Sequence, residues 1–324
     1  MPLQQHGHVV KLTVTLSGAG VYFCRMPQMD LLALLPAHRG SVYALAAGSN
    51  GKFFSAGSDG VLLCWQWPQQ RPLILAQVPS QVFALWYDAV THHLLAGTMS
   101  GAVYVTEVAT GRILAALQHH TDSVFHIRRF GTRIYLCSKD GTVSCLDPEH
   151  DYQLLQRWRI SAQAVRRLAF HPQLPCAAGS SDSHIYLLDA SSGSISACLT
   201  GPVSSVFCLA YDGEGHRLFA GSRDARLYVY AMPAGTLIYK INAHMFTLND
   251  LMLIGRDQWL VTASRDKSIR LWKADDLTLL FSFSAEKNQG HTHSVNALLW
   301  LEPQQLLISG SDDRRIGIWK IAWH

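Results

Sequence analysis

Charge is scarce in this chain. Asp, Glu, Lys and Arg make up only 15% of its 324 residues, against roughly a quarter in ordinary soluble domains. That leaves little material for exposed helical surface and points to strand. The seven cysteines, at 24, 64, 137, 145, 176, 198 and 208, are odd in number, and no two are spaced C-x-x-C. This argues against a disulfide framework or a zinc ribbon and fits a reducing compartment. No apolar run approaches the ~20 residues that span a bilayer, and N-x-S/T is absent. The first twenty residues lack a basic start, and their apolar stretch is broken by Lys11, Thr13 and Thr15, so they do not read as a secretory signal. A cytoplasmic protein without membrane contact is expected.

Catalytic signatures are missing as well. There is no H-E-x-x-H, no G-x-S-x-G and no Walker loop, since residues 48–52 (GSNGK) run into Phe53 rather than Ser or Thr. Lys plus Arg (27) less Asp plus Glu (23) leaves +4, too little for a nucleic-acid protein. The pairs Arg128-Arg129, Arg166-Arg167 and Arg314-Arg315 fall on different strands and make no continuous basic stripe.

What the chain does have is 48% hydrophobic residues, enough for a large core, and a repeat. Seven segments align on an apolar or aromatic anchor at Trp65, Thr106, Leu146, Leu188, Tyr230, Trp272 and Trp319, spaced 41, 40, 42, 42, 42 and 47 residues. Six positions earlier stand Asp59, Ser100, Asp140, Asp182, Asp224, Asp266 and Asp313. Eight earlier stand Gly57, Thr98, Ser138, Ser180, Ser222, Ser264 and Ser311. Three earlier the residue is always Leu, Val or Ile. Within the sixth unit, apolar runs at 248–253, 259–263, 269–272 and 277–283 are separated by turn residues, which reads as four short strands. One four-stranded sheet cannot bury both faces, so seven must cover one another.

These columns, with a His four residues before the first strand in repeats one, three, six and seven (His38, His120, His244, His291), resemble the WD-repeat β-propeller family over residues 29–324. The chain is similar to stand-alone prokaryotic WD-repeat proteins. No Trp-Asp dipeptide occurs, four anchors are not Trp, and repeat two lacks both His and Asp. The resemblance implies an all-β, seven-bladed β-propeller of four-stranded antiparallel blades. Repeat seven ends at its third strand, so residues 31–35 are expected to supply the fourth and close the ring. Residues 1–28 form an N-terminal extension. Its segments 10–16 and 20–24 read as an extra hairpin on the last blade, half of an eighth blade, or a loose extension.

The resemblance also implies hydrogen-bonded tetrads of His, Ser/Thr, Asp and Trp. The expected sets are His244, Ser264, Asp266, Trp272 and His291, Ser311, Asp313, Trp319. Repeat one offers His38, Asp59 and Trp65 with Gly57 in the Ser place; repeat three offers His120, Ser138 and Asp140 with Leu146 for Trp. Recurrence at blade spacing makes these packing devices rather than catalytic triads.

Binding is then expected on the loop face. The residue before each turn Asp points there, and Lys139, Arg223 and Arg265 make a partly basic rim suited to an acidic peptide or carboxylate. Phe246 and the polar insertion 285–290, with Lys287, extend that face. Tyr43, Phe83, Phe125 and Phe207, one residue after the valine opening the first strand, read as inter-blade packing, with partner-binding anchors as the alternative. The expected function is a non-enzymatic protein–protein interaction scaffold, a monomeric propeller within a complex, using no metal or cofactor. The alternative is a propeller hydrolase or lactonase acting at the channel mouth, for which Asp122 and Asp250 are the acids nearest the first strands.

Overall fold

The computed structural model describes residues 27–322, apart from the side chains of 287 and 288; the expected strands at 10–16 and 20–24 lie outside the described residues. Twenty-eight strands form seven separate four-stranded antiparallel sheets. In each sheet the strands run a-b-c-d in chain order, except that the last sheet takes its outer strand from the other end of the chain. Blade six is typical: a is Leu248–Ile254, b is Trp259–Ser264, c is Ile269–Lys273 and d is Leu279–Phe283.

The ring closes as the repeat arithmetic requires. Gln28–Pro36 pairs antiparallel with Arg315–Ala322, with Leu35 opposite Ile316 and Leu31 opposite Trp319. The first described strand is thus bolted to the last blade, leaving no open end in the ring.

Burial follows from the stacking. Strand b lies between two neighbouring blades, so its residues are buried on both faces, as in Arg217–Ser222 and Trp259–Ser264, where only the first residue is partly exposed. Strand d is outermost and reads exposed almost throughout, as in Thr236–Asn242. The apolar core is accordingly divided into seven clusters, each drawn from two adjacent blades. At the closure, Val42 of blade one presses against Gly310 of blade seven. A Cβ on that glycine would fall 2.7 Å from Val42 Cγ1, so the blades approach only because the side chain is missing there.

The turn between strands b and c needs one residue with positive φ just after or near the Asp column. Glycine fills it in the first three blades (Gly60, Gly101, Gly141), whereas Ser183, Ala225, Lys267 and Arg314 adopt it in the rest at φ of 68–75°. These four residues carry conformational cost that the surrounding hydrogen bonds offset.

Candidate functional site: the loop face and channel mouth

The tetrads fix the loops on one face, and they are built from different hydroxyls than the sequence columns imply. In blade six the indole Nε1–H of Trp272 donates to Thr262 Oγ1 (2.9 Å), Thr262 donates to His244 Nε2 (2.8 Å), and His244 Nδ1–H donates to Asp266 (2.9 Å). These partners set the imidazole tautomer. Blade seven repeats the chain with Trp319, Ser309, His291 and Asp313, and blade one with Trp65, Ser55, His38 and Asp59, each link between 2.8 and 3.0 Å. Ser264 and Ser311 are therefore not tetrad members, and repeat one is complete despite Gly57.

The reason is the period of two along a strand. Positions eight and ten before the anchor share one face of strand b, and only the deeper one reaches the imidazole and indole. Ser264 and Ser311, at the strand end, have another task. Ser264 Oγ accepts from the Asp266 amide (3.0 Å) and donates to the Phe246 carbonyl (3.1 Å); Ser311 and Ser138 bridge turn and loop in the same way. A signal for this is present in the chain. The residues ten before the anchor are Ser55, Ala96, Leu136, Ala178, Ala220, Thr262 and Ser309. A hydroxyl stands there in the three repeats whose anchor is Trp and in no other.

Blade three keeps half of the device. His120 Nδ1 meets Asp140 at 3.0 Å, but Leu136 and Leu146 replace the hydroxyl and the indole, and His120 Nε2 is buried without a partner. Blades four and five have no His four residues before strand a, where Ser161 and Pro202 stand instead. Their Asp182 and Asp224 accept instead from the phenol groups of Tyr186 (2.8 Å) and Tyr228 (2.6 Å). These tyrosines stand on strand c, four residues after each Asp, so no His column announces them.

Each carboxylate also holds the loop that precedes strand a. Asp266 accepts from the Met245 amide (3.0 Å), Asp313 from Thr292 (3.0 Å), Asp59 from Arg39 (2.9 Å) and Asp140 from Thr121 (3.1 Å). Burial alone would raise the Asp266 carboxyl, yet the bonds from His244, Ser268 and Met245 hold it well below the ordinary carboxylate range. Burial in turn lowers His244, His38 and His120, against the pull of their Asp partners, so these imidazoles are neutral near pH 7.

The face so fixed carries two concentric rings. The outer ring is the residue before each turn Asp, held by its amide to the carbonyl preceding strand a: Lys139 to Ser123, Arg223 to Ser205, Arg265 to Thr247, all at 2.8–2.9 Å. Arg223 and Arg265 are exposed, while Lys139 is tied to Asp122 at 3.0 Å, which narrows the basic rim to blades five and six. Beside Arg265, Met245 and Phe246 are 78% and 57% exposed. The insertion after blade six forms a single helical turn, Ala285–Asn288; the Lys287 side chain lies outside the described residues.

The inner ring is the second residue of strand a: Tyr43, Phe83, Phe125, Arg166, Phe207, Asn249 and Asn296. The four aromatics are half-buried and line the mouth of a central channel of ≈ 660 Å³. Tyr43 meets Phe83 at 5.2 Å and Phe83 meets Phe125 at 5.8 Å between ring centroids. The rings thus pack between neighbouring blades, as expected, and do so at the channel mouth, because the second position of strand a turns toward the axis where the bulge between the first and third positions re-aims it.

Of the two watched acids, Asp122 is spent on Lys139. Asp250 does converge on the channel, but its oxygens accept from Arg167 (3.1 Å) and from the amides of Leu251 (3.0 Å) and Leu298 (2.9 Å). Among the described residues no three His, Cys, Asp or Glu side chains are grouped to hold a metal ion, and the six described cysteines are free. No helix among them is long and apolar enough to cross a membrane.

Fold and site together define a seven-bladed β-propeller whose loops are locked by histidine–carboxylate pairs. Residues 29–66, 193–230, 235–273 and 280–320 match the family "WD domain, G-beta repeat", so the propeller carries WD repeats in these segments. It is 25% identical to human Striatin-4 over 232 residues, which cover 64% of this chain and 31% of that protein. It is 24% identical to mouse Pre-mRNA-processing factor 17 over 174 residues, covering 52% of this chain and 30% of that one. The chain thus spans about a third of the length of these curated relatives. The WD40 β-propeller domain of Doa1 superimposes with a TM-score of 0.80 at 17% identity, covering 90% of this chain and 97% of that one.

Proposed function

We propose that this propeller is a non-enzymatic scaffold that binds a protein or peptide partner on its loop face, chiefly over blades five and six. One observation carries this reading: Met245 and Phe246 stand exposed beside Arg223 and Arg265, on a loop whose backbone is tied down by Asp266 and Ser264. Two adjacent exposed apolar side chains rimmed by arginines make a patch of the kind a partner covers. Holding them rigidly in advance removes the ordering cost that a flexible loop would impose on binding. The arginines beside them suit a partner segment carrying carboxylates next to an apolar residue, because guanidinium pairs with carboxylate in a bidentate fork. The WD repeats support the reading at the level of fold, and the basic rim with its apolar neighbour supports the choice of face.

The test is capture of partners by tagged protein, with Arg223→Glu/Arg265→Glu and Phe246→Asp compared with wild type and all three checked for the same melting behaviour. The expected result is loss of the same captured bands in both variants. Unchanged capture by both removes the loop face over blades five and six as the docking surface.

A further inference from the structure

Below the aromatic mouth the channel is lopsided. At the third position of strand a, blades seven, one and two contribute Ala297, Ala44 and Ala84, while blades three, four and six contribute His126, Arg167 and Asp250. The three alanines leave space on one side, and the other side is polar. Arg167 is paired with Asp250, the single carboxylate lining the channel among the described residues. Arg128, two residues below His126, packs its guanidinium 4.8 Å from the Trp86 ring centroid and meets no carboxylate among the described residues. Arg166 is sandwiched between Phe125 (4.9 Å) and Phe207 (4.2 Å), with Nε bonded to Ser181 at 2.8 Å and its terminal nitrogens unpaired.

Three guanidinium groups less one carboxylate leave the channel at +3 − 1 = +2, with His126 held neutral by burial and by Arg167 and Arg128. The Nε1–H of Trp86, in the same wall, is buried and finds no acceptor among the described residues. Every unsatisfied group here is a donor. Donor-only guanidinium and indole nitrogens are completed by oxyanions.

We infer that the channel is a binding site for a small aryl phosphate or carboxylate, its flat ring against Tyr43 and Phe83, the mouth rings that Arg166 leaves uncovered, and its oxyanion on Arg128 and Arg167. The mouth and Arg128 are three strand residues apart, roughly 10 Å, which is the reach of one aromatic ring with an anionic substituent. The site stands apart from the loop-face reading: Arg128 and Trp86 lie inside the channel, and neither touches Met245, Phe246, Arg223 or Arg265.

The experiment is titration of the full chain with phenyl phosphate by calorimetry, with phenol and inorganic phosphate as the two halves of the probe. In parallel, the Trp86 indole N–H resonance, assigned from Trp86→Phe, is followed in the wild-type protein. Phenyl phosphate is expected to bind at submillimolar concentration and more tightly than either half. It shifts the Trp86 signal while those of Trp272 and Trp319, bonded inside their tetrads, stay. Arg128→Gln weakens binding about tenfold or more, and Arg71→Gln, on the outside of blade one, leaves it unchanged. Absence of binding by the wild-type protein at millimolar phenyl phosphate overturns the inference whether or not Arg128→Gln folds. So does binding that leaves the Trp86 signal unmoved, since that places the anion elsewhere.

Discussion

Blades six and three perform the same task with different amounts of hardware. Blade six runs an unbroken chain from Trp272 through Thr262 and His244 to Asp266; blade three has only His120 and Asp140. Yet the loop before strand a is tied in both, through Met245 in one and Thr121 in the other, at 3.0 and 3.1 Å. Pinning the loop face therefore belongs to the carboxylate. The hydroxyl and indole belong to the core: they satisfy the far nitrogen of the imidazole and fill the space that Leu136 and Leu146 fill in blade three. Losing both polar partners together leaves one orphan, His120 Nε2, where losing the hydroxyl alone would leave two, the imidazole nitrogen and the indole N–H. An apolar pair is the cheaper replacement for a polar pair.

That contrast can be broken most severely at its centre. Thr262→Val keeps the shape of the side chain but strips Trp272 Nε1 and His244 Nε2 of their partner, both in buried side chains. A loss of about 3 kcal/mol is expected in chemical denaturation, from two buried unsatisfied groups. The equivalent change in blade three does not exist, because Leu136 is already apolar. A milder comparison uses the hydroxyls at the strand end. Ser264→Ala and Ser138→Ala each remove one turn-to-loop bridge and are expected to cost about 1 kcal/mol apiece, equally in the two blades. If Ser264→Ala cost as much as Thr262→Val, the assignment of Thr262 to the tetrad would be wrong.

The smallest effect is in the pH dependence. Burial lowers both His120 and His244 below 6.5 in the folded state, so unfolding takes up protons as pH falls through the unfolded value. Their contribution is fully present above about pH 6.5 and is lost below it. Stability should fall from pH 7 to pH 5, and less steeply in His120→Gln, as read from melting temperature against pH. Asp140, Asp266 and Asp313 are lowered too and add a second fall below about pH 4, the ordinary carboxylate range.

The blade count, the strand order and the closing strand were legible because each rests on repetition: seven turns with Asp, an apolar residue three before every anchor, and a last repeat short by one strand. The tetrad hydroxyl was misread by two residues because Ser264 and Thr262 share a face, and only their depth, a tertiary quantity, separates them. The basic lining of the channel was not legible. Arg128, Arg167 and Asp250 belong to three different repeats and converge only around the axis, so no spacing along the chain announces them. Tyr186 and Tyr228 replace a His by reaching the same carboxylate from strand c, a substitution of geometry rather than of residue type.

The central claim is that the tetrad carboxylates, not the strands alone, hold the loop face in place. It is tested most directly by native-state hydrogen exchange at the amides of Arg39, Thr121, Met245 and Thr292. The account predicts that all four are protected in the wild-type protein, and that Asp266→Asn releases Met245 alone. Exchange of these amides at the rate of an unstructured loop, with the neighbouring strands still protected, would contradict it.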